Sequence, residues 1–152
     1  MGDVRWATTD DIAELVRLRR VMFESMGREV SAADDDAGAA VLARGLPTGE
    51  FFAAVVDGGP GWLAACGVGM TSLRLPGPGN PAGVFGYIQS MVTDERARRQ
   101  GHARAVLDAL LERFDGLDVP IVDLHATPMG EPLYRSMGFA PGRTPELRRV
   151  GG

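Results

Sequence analysis

Met91-Val92-Thr93-Asp94-Glu95-Arg96-Ala97-Arg98-Arg99-Gln100-Gly101-His102-Ala103-Arg104 runs from the end of a predicted strand into the start of a predicted amphipathic helix. The first N–H groups of a helix have no partner within it, and with the helix dipole they favour a negative ligand. Gly101 and Ala103 are small enough to let a phosphate approach the main chain, and a pyrophosphate suits this chemistry. Arg96, Arg98, Arg99 and Arg104 can add paired hydrogen bonds to phosphate oxygens. Taken alone, the same arginines also fit a solvated helix entry. No Gly-x-x-x-x-Gly-Lys is present and no Gly-x-Gly-x-x-Gly follows a strand with an acidic residue beyond it, which excludes kinase, GTPase and dehydrogenase readings.

On the N-terminal side of this turn, Val84 to Thr93 has the β-branched and aromatic content of a strand. On the other side, Ala103, Val106, Leu107, Leu110, Leu111 and Phe114 form one apolar stripe at helical spacing. Pro120 then opens a strand from Ile121 to Ala126, and Glu131-Pro132 begins a short helix that Gly138 stops. Two successive strand–helix units predict two neighbouring parallel strands. Phe139 to Val150 is expected to return as one or two final strands.

In the first half, Thr8 and Asp11 give an N-cap signature for a helix that ends near Gly27. Ser31 and Asp34-Asp35-Asp36 introduce a weaker helix closed by Pro47 and Gly49. Phe51 to Val56 and Trp62 to Thr71 form a hairpin around a glycine-rich turn, and Leu75 to Pro81 reads as a surface loop. Without a repeat or a long linker, residues 1–152 read as a single mixed α/β domain.

With 152 residues, 45% of them hydrophobic, the chain can bury one core unaided. Cys66 is the only cysteine, so neither an intrachain disulfide nor a cysteine zinc site is possible, and it reads as a buried small hydrophobe. His102 has no second histidine or carboxylate at ligand spacing, and no metal is expected. A net charge of -4 gives no general attraction to nucleic acid or anionic lipid, and neither is expected as a partner. The absence of a leader pattern or a long apolar run leads to the expectation of a cytoplasmic protein. All positive residues are arginine, so the chain has no lysine of its own to acetylate.

Arg98-Arg99-Gln100-Gly101-His102-Ala103 resembles the Gln/Arg-x-x-Gly-x-Gly/Ala signature of the GNAT acetyltransferases, placed between a central strand and a long helix as in that family. Leu133-Tyr134-Arg135-Ser136-Met137-Gly138-Phe139 resembles the family's leucine-tyrosine pair on a short helix ending in Gly-Phe, and Ala7 to Ile12 its usual first-helix entry. The resemblance implies an α/β acyl-CoA N-acyltransferase fold, a mixed sheet with flanking helices whose two central parallel strands splay apart around the pantetheine arm of acetyl-CoA. Here those strands are Val84 to Thr93 and Ile121 to Ala126.

Acetyl transfer to an amine needs a neutral nucleophile, support for the oxyanion, and a proton for the departing thiolate. By resemblance, main-chain groups of Met91, Val92 and Thr93 bind the acetyl carbonyl and pantetheine amides, and the turn from Arg98 through Arg99, Gln100, Gly101, His102 and Ala103 to Arg104 binds the pyrophosphate. By the same resemblance Tyr134, matching a tyrosine near the CoA sulfur, is the candidate general acid, and helical geometry turns it about 100° from the core-facing Leu133; a tyrosine packed in the core is the alternative. His125, two residues from Asp123 on one strand face, is the first choice as base, with Glu24, Gln89, Glu131 or water as rivals. Thr127 stands where many relatives carry a cofactor-binding asparagine. The aspartates from Asp34 are a solvated helix entry or a lure for a cationic amine. A small-molecule primary amine is the expected acceptor and CoA the product. A protein N-terminus or lysine is the alternative acceptor, a non-catalytic acetyl-CoA-binding module the alternative function, and homodimerisation is plausible by the same resemblance.

Overall fold

Thr8 caps the first helical region as its spacing predicts, its hydroxyl accepting from Asp10 N–H while the Asp11 carboxylate accepts from Thr8 N–H. The computed structural model describes residues 3–152. After the 3-10 turn Thr9–Asp11, helix α1 (Ile12–Ser25) buries Leu15 and Leu18. A second capping box, between Ser31 and Asp34, starts α2 (Ala32–Thr48). Pro47 is accommodated in its last turn, and Gly49 ends it in the left-handed region at φ 78°.

The sheet follows chain order: β1 (Val4–Trp6), β2 (Phe51–Gly59), β3 (Trp62–Leu73), β4 (Val84–Thr93) and β5 (Ile121–Leu124). Neighbours are antiparallel through β4, while β4 and β5 run parallel, as the strand–helix units predict. β1 is an unpredicted strand: three residues carry no alternation long enough to read, and pairing to Ala54–Val56 creates it. After β5 comes the short helix α4 (Glu131–Ser136), with Pro132 in its first turn.

The expected strands between Phe139 and Val150 do not form. Pro141 and Pro145 lack the N–H donors a ladder requires, and Gly142 adds no packing surface. β5 is also shorter than expected, stopping at Leu124 instead of Ala126.

Two apolar layers cover the sheet. Leu15 and Leu18 of α1 pack with Ala53, Val55, Cys66, Val68 and Val92 on one face. On the other, α3 (His102–Gly116) packs Val106, Leu107, Leu110 and Phe114 against Phe52, Ala54, Ala65 and Ile88. Each of the buried Val, Leu, Ile and Phe side chains contributes roughly 1.5–3 kcal/mol of burial free energy. Phe114 needs small residues beneath it: a Cβ on Gly86 would stand 2.6 Å from its ring and one on Gly69 3.1 Å.

Candidate active site

Position 90 breaks the regularity of β4. Ser90 has φ 56°, and the β3–β4 register slips between Cys66↔Val92 and Val68↔Gln89, a bulge of one extra residue. In an unbroken strand consecutive side chains point to opposite faces, yet Gln89 and Ser90 both line the same cavity. The buried Cys66 thiol donates to the Ser90 carbonyl at 3.3 Å and holds the bulge in place. Burial pushes that thiol up to about 12, so it stays protonated and unreactive.

The bulge coincides with the opening of the sheet. β4 and β5 pair from Phe85↔Ile121 to Ile88↔Leu124, and β4 then continues alone to Thr93. The β5-facing edge of Gln89 to Thr93 is therefore free to pair with an extended amide-containing ligand, the position expected of Met91, Val92 and Thr93.

Asp94 closes β4 and caps the 3-10 turn Glu95–Ala97, its carboxylate accepting from Arg96 N–H at 2.9 Å. Arg99 follows with φ 64° and Gly101 with φ 79°, two left-handed residues that curl the main chain into a concave turn. Gly101 gives α3 no side-chain cap, and the N–H groups of His102, Ala103 and Arg104 find no acceptor among the described residues. Arg98, Arg99 and Gln100 are exposed around this turn. Arg104 donates to the Ser136 hydroxyl at 2.9 Å, tying the turn to α4. His102 points inward, its Nε2 3.2 Å from Gln100 Oε1, and so organises the turn from inside. Free donors, positive φ angles and arginines together suit a pyrophosphate.

Tyr134 is buried by its ring, which meets Phe139 edge-on at 6.0 Å, and its hydroxyl has no hydrogen-bond partner among the described residues. Burial raises its pKa, so it stays protonated at neutral pH and can serve as a donor. The Thr127 hydroxyl accepts from Gly130 N–H at 3.2 Å, shaping the turn into α4, and retains its own proton to donate.

His125 is placed differently from its expected pairing. Its Nδ1 contacts the Tyr87 hydroxyl, and its Nε2 lies 2.7 Å from Glu146, so Glu146 and not Asp123 is the carboxylate that orients it. Sequence alone missed Glu146, which sits in the segment expected to be a strand. His125 is not among the residues lining the cavity beside β4.

That cavity, about 430 Å³, lies between α1, α2 and the bulge and was not foreseen as a unit. Leu15, Val16, Phe23, Val41, Leu42 and Phe51 supply its apolar walls. The aspartates expected to attract a cation are largely committed elsewhere: Asp34 caps Ser31, and Asp35 pairs with Arg20. Among the described residues, no group of three or more metal-ligating side chains comes together, and no helix is long and apolar enough to cross a membrane.

Comparison with known proteins converges on one family. The sequence model of the Acetyltransferase (GNAT) domain matches residues 67–151. A GCN5-related N-acetyltransferase from Ralstonia eutropha JMP134 is 28% identical, with a TM-score of 0.87 over 99% of this chain and 100% of that one. A predicted acetyltransferase from Clostridium acetobutylicum, solved with acetyl-CoA, is 24% identical, with a TM-score of 0.87 over 97% of this chain and 96% of that one. Glucosamine-6-phosphate N-acetyltransferase from Arabidopsis thaliana shares the fold at 16% identity, with a TM-score of 0.78 over 99% of both chains. No curated protein matches the sequence.

Proposed function

Because the chain belongs to the GNAT acetyltransferase family, we propose that it transfers the acetyl group of acetyl-CoA to a primary amine of a small molecule, by direct attack in a ternary complex. The bulge at Ser90 carries this reading, because the free edge of β4 and the cavity between α1 and α2 meet there. A thioester on the edge and an amine in the cavity would be neighbours.

In this reading the β4 main chain from Met91 to Thr93 holds the acyl end and the pantetheine amides. The turn from Arg98 to Arg104 holds the pyrophosphate, and Thr127 donates its remaining proton to the cofactor. Acetyl-CoA supplies the activated acyl group; the residues around it align it and exclude water. Tyr134 protonates the departing thiolate, its unpartnered hydroxyl being the observation that favours this role over plain packing. His125, oriented by Glu146, accepts the amine proton through the Tyr87 hydroxyl. A small acceptor fits better than a polypeptide, since the cavity volume lies within the range of small-molecule sites.

The test is calorimetric titration with acetyl-CoA and CoA, repeated after Arg98→Ala and Arg104→Ala. Micromolar binding that weakens in both variants is expected. Absence of binding at millimolar acetyl-CoA refutes the reading.

A further inference from the structure

Arg19 and Arg28 flank Phe23 in the cavity wall, their guanidinium carbons 4.8 and 5.3 Å from its ring centre. The other charges nearby are accounted for. Arg20 is paired with Asp35, the Asp34 carboxylate accepts from Ser31 N–H at 2.9 Å, and Glu29 stands exposed. Arg19 differs from every paired arginine of α1. Among the described residues its only hydrogen bond is to the Ser90 hydroxyl, and no carboxylate there pairs with it. Arg28 likewise forms no ion pair there.

A half-buried guanidinium with its other donors unused is costly unless an anion arrives. Burial pulls Arg19 below its ordinary value, opposed only by the Cys66 thiol and the Tyr87 hydroxyl and by no carboxylate among the described residues. Planar guanidinium donors match carboxylate and phosphate oxygens by paired hydrogen bonds.

Building on the acceptor site proposed above, we infer that the amine substrate carries its own anionic group, a carboxylate or phosphate close to the amine, which Arg19 binds at the bulge and Arg28 attracts from the rim. Proximity follows from Ser90: Arg19 bonds the residue beside the free edge of β4, so an anion held there would sit next to the edge proposed to receive the acyl arm. An α-amino acid or a short aminoalkyl phosphate has that spacing. Val16, Phe23, Val41 and Leu42 then offer an apolar wall to a side chain. An internal lysine or the N-terminus of a polypeptide has no anion beside its amine, which argues against both.

Matched acceptors test the inference, with thiol release measured at saturating acetyl-CoA. The pairs are L-phenylalanine with phenethylamine, L-leucine with 3-methylbutylamine, and O-phosphoethanolamine with ethanolamine. At least one anionic member is expected to exceed its neutral partner in kcat/KM by about ten- to a hundredfold, the scale of charged hydrogen bonds. The carboxylate and phosphate arms distinguish the two sources. Arg19→Gln is expected to abolish that preference by raising KM for the anionic member far more than for its neutral partner, with the melting temperature confirming the fold. Acetyl-CoA binding with neutral members equal or favoured, or with every acceptor inert, overturns this inference and leaves the proposed cofactor site intact. Failure to bind acetyl-CoA overturns the proposed function itself.

Discussion

Asp94→Asn should destabilise the protein in a way that fades with acid. The carboxylate is buried at the end of β4, where Oδ1 accepts from Arg96 N–H at 2.9 Å and Arg96 Nε at 3.0 Å. Oδ2 accepts from Arg17 Nη1 at 2.8 Å and Arg96 Nη2 at 3.1 Å. Arg17 also bonds Glu14 at 2.7 Å, and Glu14 accepts from Leu63 N–H at 2.8 Å, so one network joins α1, β3 and the proposed cofactor turn. Asparagine keeps an acceptor for Arg96 N–H but turns an NH₂ toward two guanidinium groups. Removing one member of a buried pair costs roughly 3–5 kcal/mol. Arg96 is largely exposed, which lowers the expectation to roughly 2–3 kcal/mol at pH 7. For a domain of this size that is a fall of about 4–12 °C in melting temperature.

The sign of the pH effect is fixed by the arginines, which hold the Asp94 carboxyl well below its ordinary value. Such a group contributes stability above its unfolded pKa, near 3.9, and loses it as pH falls towards the folded value. Carboxylates outside this network titrate alike in both proteins and cancel in the difference. Urea unfolding of wild type and variant should therefore show a gap that is constant from pH 7 to pH 5 and about 1 kcal/mol smaller at pH 3. A gap of equal size at pH 7 and pH 3, or none at pH 7, refutes the reasoning.

Two further substitutions probe the catalytic assignment and the core. Tyr134→Phe removes a hydroxyl that has no partner among the described residues, so the melting temperature and acetyl-CoA affinity should hold while kcat drops at least about a hundredfold, as for loss of a general acid; unchanged kcat in the thiol-release assay removes Tyr134 from the chemistry. Phe114→Ala empties the space over Gly69 and Gly86 and should cost roughly 3–5 kcal/mol, about 6–20 °C in melting temperature by calorimetry.

Short-range chemistry explains what the sequence made legible. The cap at Thr8, the stripe from Val106 to Phe114, the glycine-led start of α3 and the proline-led start of α4 are each written within a few neighbouring residues, and the structure has them where the pattern puts them. β1 is defined by its partner β2, not by its own three residues. The segment after Phe139 forms no strand because Pro141 and Pro145 deny it ladder donors, a local signal that outweighs the expectation of a returning strand. Arg19 was invisible for a related reason: within Leu18-Arg19-Arg20 it looks like a solvated helix face, and only contact with Ser90, 71 positions away, makes it a cavity residue.

The bulge explains why the two halves of the site cannot be changed independently. An extra residue at Ser90 carries Gln89 and Ser90 to the α1 side together, while Val92 still packs beneath α1 and Ile88 still packs beneath α3. The same displacement accompanies the point where β5 ceases to pair, freeing the edge proposed to receive the acyl arm. A regular β4 would send Ser90 to the face opposite its present one, withdrawing the hydroxyl from Arg19, and would restore the face alternation that the cavity interrupts. The proposed cofactor geometry and the inferred acceptor preference thus depend on one backbone irregularity, held by the Cys66 thiol on the Ser90 carbonyl and by Arg19 on the Ser90 side chain.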